Sequence, residues 1–212
     1  MSTGFINEAF LGNMGALLLF VISGFVAVRA LYVYTHILSP RLFILGLSLS
    51  IMSLTALADL IANSLTTITL HTDWFLYIGQ GVALLFIMLS LFNNSDAYAQ
   101  RLMRVQILLA VLLVGLCLLS PTLPELPNVA TKAIVTGIPA LICFGIFYAY
   151  ISAFLKKQTR FSLLMCVAFI LLGLGYLMTQ QFLLSDNGVL DVTSDILSML
   201  GLLSLLGAVF SN

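Results

Sequence analysis

Asp59 is the acid set deepest in an apolar run. It falls inside the stretch 42–66, among aliphatic neighbours, about 7 Å from the centre of the helix that stretch would form at 1.5 Å per residue. A carboxylate at that depth is costly without a partner; acids so placed hold cations, relay protons or join buried polar networks. On a helix turning 100° per residue, Ser48, Thr55, Asp59 and Asn63 fall within an arc of roughly 80°. Three further apolar stretches carry polar stripes of the same kind: Asp73, Tyr77 and Gln80; Gly173, Tyr176 and Gln180; Asp191, Asp195 and Ser198.

If these faces converge, Asp59, Asn63, Thr55, Tyr77, Gln80, Tyr176, Gln180 and Asp195 form one ligand-binding or cation-binding site. Walled by carboxylates, amides and phenols, it favours a small cationic or hydrogen-bonding ligand over an anion. The plainer reading stands beside it. Polar residues near helix ends reach interfacial water, and Thr, Asn and Gln serve as interhelical hydrogen-bond partners. Asp73, Asp186 and Asp191 fit that reading best.

Other chemistry is missing from the sequence. His36 and His71 do not oppose each other at membrane depth, so haem ligation by paired histidines is not expected. His71 and Asp73 alone are too few for a metal centre. Cys117, Cys143 and Cys166 sit in apolar runs, where thiols pack as small hydrophobes. No HExxH, glycine-rich phosphate loop or serine elbow occurs, so neither enzyme nor cofactor is expected. With a formal net charge of zero and scattered basic residues, no nucleic-acid partner is expected either.

The elements that must position the stripes follow from composition. The chain is 61% hydrophobic and 8% charged, far from the soluble norm of about 45–50% and about 25%. A helix needs roughly 20 apolar residues to cross a bilayer. Seven stretches qualify, near 10–28, 42–66, 74–92, 105–123, 133–155, 161–184 and 190–210, and predict an all-α integral membrane protein, one seven-helix transmembrane domain over residues 1–212. The fourth carries Pro121 near one end; Gly137 and Pro139 predict a bend in the fifth.

Seven of eight basic residues border the first, third and fifth loops, and only Lys132 does not. The positive-inside rule then puts the N-terminus outside and the C-terminus in the cytoplasm, as in a bacterial inner membrane. Helices 1 to 3 and 5 to 7 run in the same directions, which permits a 3+1+3 parallel repeat. Arg41 and Arg160 open the second helix of each triplet, followed after 32 and 35 residues by Asp73 and Asp195. The inner half offers chiefly Ser50, Ser90 and Ser162 as polar side chains, which weighs against a continuous channel.

Microbial rhodopsins hold retinal on a lysine of the last helix; helix 7 here has none, which excludes their photoactive form. Small sugar carriers of 3+1+3 layout carry a proline in the first helix of each repeat; here only helix 5 does. In size and topology the chain is similar to the seven-helix input domains at the front of bacterial signalling proteins, without a shared motif. The expectation is therefore a non-enzymatic protein, a receptor-like sensory domain or an accessory subunit of a membrane complex, reading a ligand or partner from outside. Because the chain stops at Asn212, its signal would pass through a protein partner, a homo-oligomer or a longer chain. The alternative is a secondary transporter in which Asp59 holds the coupling cation or proton.

Overall fold

The computed structural model describes residues 8–64, 72–92, 95–119, 122, 129–185 and 188–210. Among them are seven α-helices and no strand: α1 (Glu8–Ile37), α2 (Pro40–Ser64), α3 (Asp73–Phe92), α4 (Asp96–Leu118), α5 (Val129–Lys157), α6 (Arg160–Ser185) and α7 (Gly188–Phe210). All seven are long and apolar enough to cross a membrane, the build of an integral membrane protein, because only a closed hydrogen-bond ladder satisfies the backbone there.

Two helices depart most from expectation. α1 runs to Ile37 rather than 28, and α4 spans Asp96–Leu118 rather than 105–123. Hydropathy marks where side chains turn apolar, whereas the backbone ladder continues into the polar interface wherever residues favour helix. Ala97, Ala99, Gln100 and Arg101 do so, and Asp96 suits the helix's positive end. α4 ends at Leu118, and Pro121, expected inside the fourth helix, lies outside the described residues.

The packed pairs α1/α2, α2/α3, α3/α5, α5/α6, α6/α7 and α7/α1 close a ring of six helices, and α4 stands outside it against α2 and α3. Side-chain registers give the directions. Between α1 and α2 the contacts Gly24–Ser53, Leu31–Gly46 and Tyr34–Phe43 pair rising with falling numbers, so the helices are antiparallel. Between α1 and α7, Gly15–Met199 and Phe25–Phe210 rise together, so these two are parallel.

Three pairs of contacts fall at or within two residues of a common offset of 120. Adding 120 to Gly24–Ser53 gives Phe144–Gly173, which is a contact of α5 with α6. Adding 120 to Thr55–Gly79 gives 175 and 199, one residue from the α6/α7 contact Gly175–Ser198. Phe25–Phe210 maps to 145 and 90, two residues from the α5/α3 contact Gly145–Met88.

The connections obey the same shift. Leu38 (φ 55°) and Gln158 (φ 46°) are the two non-glycine residues of positive φ among the described residues. Each donates its N–H four residues back, to Tyr34 at 2.8 Å and Phe154 at 2.7 Å, the αL helix ending that usually takes glycine. Ser39 and Thr159 follow and accept the first N–H groups of α2 and α6. A side chain in the left-handed region costs roughly 1 kcal/mol. Leu38→Gly and Gln158→Gly are therefore expected to raise stability by about 0.5 kcal/mol each, and additively, in detergent melts.

α4 buries one narrow stripe, Ala99, Leu102, Gln106 and Leu113, and turns Val105, Leu108, Val111 and Leu112 outward. Gln106 is 0% exposed; its Nε2 donates to the Ile44 carbonyl at 3.1 Å and to Ser48 Oγ at 2.8 Å. Gln106 thus joins the serines expected as the chief polar side chains of the inner half, and Ser48, the first member of the α2 stripe, belongs to the α4 seam. The Gln106 Oε1 atom is buried without a hydrogen-bond partner, which offsets much of what the two donated bonds contribute. Gln106→Met keeps the volume and removes the orphan acceptor, so its melt is expected within about 1 kcal/mol of the parent.

Candidate functional site

Counting seven residues from the start of α3 puts Gln80 about 10 Å below the acidic end of the bundle, the end opposite the basic loops. There Tyr176 on α6 donates its hydroxyl to Gln80 Oε1 at 2.9 Å. The two helices are not ring neighbours, so this bond spans the interior of the ring. Gln80 is 7% exposed, and in such surroundings an amide oxygen without a donor would be costly.

The surrounding backbones come close because glycines let them. A methyl group at Gly79 would lie 2.6 Å from Thr55 Cγ2, which seats α2 against α3 one residue from Gln80. Thr55 is fully buried and donates its hydroxyl to the Met52 carbonyl at 2.8 Å, within its own helix. Gly79→Ala is expected to cost about 1 kcal/mol of stability, and adding Thr55→Ser, which removes the interfering methyl, restores most of it. Gln180 stands one turn beyond Tyr176, its carboxamide 3.1–3.2 Å from where a methyl at Gly137 would sit, on the α5 side of the ring.

Asp195 reaches the α1 side of α7. Its Oδ1 lies 3.9 Å from the corresponding position at Gly15, on the α1 seam. The α6 face of α7 carries Ser194 instead: it shares a hydrogen bond with Thr179 and donates to the Gly175 carbonyl at 3.0 Å. Thr179 and Ser194 escape a search for charged or amide side chains; their signal is the spacing of small residues around Gly175. Asp59, Tyr77 and Asp195 are half-buried, and each has an interaction partner. The side chains of Asn63, Asp73 and Asp191, together with His71 and Asp186, lie outside the described residues.

Toward the basic end the ring interior is apolar. Met52, Leu84, Ile87, Phe169, Leu172 and Leu202 surround a void of about 10 Å³, at the lower limit for one water and short of polar partners. Ser23 alone brings a hydroxyl to its wall, and that group is bonded to the Leu19 carbonyl. The arrangement is thus a polar layer, tied across the ring by Tyr176 and Gln80, on a dry packed plug. Such a layer suits hydrogen bonding, and the side chains that line the void below it are largely apolar. The chain matches no protein-family model, no curated protein and no solved structure.

Proposed function

We propose that the chain is a non-enzymatic receptor-like or accessory protein of a bacterial inner membrane, with its N-terminus outside, that reads a small polar or cationic ligand from the acidic side and passes the change to a protein partner or a second copy. The observation that supports this reading is the Tyr176–Gln80 bond, which joins α6 to α3 across the ring above an apolar interior. A ligand competing for either group alters the spacing of α3 and α6 without opening a path. Proteoliposomes offered small cations, amino acids and sugars are expected to show no flux, while a member of the same panel raises the melting temperature of the purified chain. Flux of any of these solutes would overturn the proposal.

The matched registers favour a second reading, a carrier whose α1–α3 and α5–α7 halves arose by duplication and rock about α4. Asp59 maps by the same shift onto Thr179, at the α6/α7 seam. On this reading uptake follows a cation gradient and vanishes in Asp59→Asn.

A further inference from the structure

Where α7 returns to α1, the basic end carries an aromatic and cationic cluster that the outer site does not use. Phe25 stacks on Phe210 with ring centroids 5.7 Å apart and planes inclined by 25°. The Arg29 guanidinium carbon sits 5.7 Å from the centroid of the same Phe210 ring. Both rings are surface groups, Phe25 45% and Phe210 63% exposed, and Arg29 is exposed beside them. One turn further, exposed Tyr32 meets exposed His36 edge to face. On the other side, Leu17 and Val21 of α1 and Leu200 and Leu203 of α7 are each about half exposed and lead along the seam toward the acidic end.

Arg29 lies eight residues before the end of α1, about 12 Å inside it, and directly follows the apolar run 10–28. Among the described residues the Phe210 ring is its only partner. The ring covers one face of the guanidinium and leaves its edge of N–H donors open, a fork that matches two oxygens of a phosphate. With no carboxylate against it among the described residues, a cation at that depth suits an anion from the membrane itself. The apolar strip leading away from Arg29 is what an acyl chain attached to such an anion would cover.

We propose that the α1/α7 seam binds one anionic phospholipid, its phosphate on Arg29 and an acyl chain along Leu17, Val21, Leu200 and Leu203. Charge complementarity and the continuity of strip and cation select a lipid over a soluble phosphate, which would leave the strip uncovered. The proposal is independent of the ligand read at the acidic end.

Native mass spectrometry of the full chain, released from nanodiscs of equal phosphatidylglycerol and phosphatidylcholine, tests it. One phosphatidylglycerol is expected to stay bound, with retention falling roughly fivefold in Arg29→Gln and less in Phe210→Leu. Arg101→Gln, which removes an exposed charge on α4, is expected to leave retention unchanged. Equal retention of the two lipids, or equal losses from Arg29→Gln and Arg101→Gln, would reduce the cluster to general surface charge and overturn the site. Stabilisation by glycerol phosphate matching that by the lipid would overturn the choice of occupant. Should Arg29→Gln not fold, Arg29→Lys keeps the charge without the planar fork, and undiminished retention in that variant overturns the assignment.

Discussion

Gly201→Val is expected to lower the stability of the bundle by about 3–5 kcal/mol, the steepest loss expected of a single exchange in this chain. Even the first carbon of a side chain at Gly201 would stand 3.0 Å from the Ala168 carbonyl oxygen and 3.1 Å from the Leu172 backbone nitrogen. A flexible neighbour can turn aside, but backbone cannot, so the two helices must separate along their seam. That seam also holds Gly175 against Ser198 and Thr179 against Ser194. Separation would therefore expose polar groups to lipid as well as break packing. Gly201→Ala is expected to cost less than valine, because one methyl demands a smaller shift. Gly115 in α4 has nothing within 4 Å of its added carbon, so Gly115→Ala is expected to gain up to about 1 kcal/mol from helix propensity alone. Thermal or denaturant unfolding in one detergent, with all three variants side by side, checks the contrast. A Gly201→Val protein melting like the parent would mean that α6 and α7 do not approach this closely.

Seven helices were readable because hydropathy and span length leave few alternatives once the backbone must satisfy itself. Gln80 and Tyr176 were readable for a related reason: amides and phenols are scarce in such runs, and each lay on a stripe. Their bond was not, since nothing in a single sequence says which stripes face one another across a ring. Gln106 was missed because its surroundings, Val105 and Ile107 among them, look like any lipid-facing run; only the docking of α4 on α2 and α3 buries it. Thr55 was assigned to a ligand on polarity, yet its methyl meets the α3 glycine and its hydroxyl returns to its own helix. The repeat was sought in charges, Arg41 with Arg160 and Asp73 with Asp195. The matching registers lie instead in close approaches, where the glycine has changed partner: Gly24 meets Ser53 in one half, and Phe144 meets Gly173 in the other. Two contacts at one offset whose small and large members are exchanged leave no trace in residue identity.

Tyr176→Phe is the exchange expected to separate the site from the scaffold. It removes one oxygen, leaves the ring in place, and deprives Gln80 Oε1 of its donor in a buried setting. The expected cost is about 1–2 kcal/mol, most of it the unpaired amide rather than the net worth of the bond. Gln80→Leu, which removes the amide, is then expected to recover much of that loss in the double variant, giving a coupling of about 1 kcal/mol in a double-mutant cycle. Tyr150→Phe supplies the comparison: that ring stacks on Phe169 in the apolar part of the interior, and no ligand role is assigned to it. Function adds a second axis. Under the 120-residue shift Tyr176 maps onto Ala56 and Gln80 onto Leu200, so the bond has no counterpart in the other half. On the proposed reading, Tyr176→Phe weakens the thermal response to the stabilising ligand roughly tenfold in concentration, the loss of one well-placed hydrogen bond. Tyr150→Phe should leave that response unchanged. Equal ligand responses in the two variants would reduce the Tyr176–Gln80 pair to a structural tie.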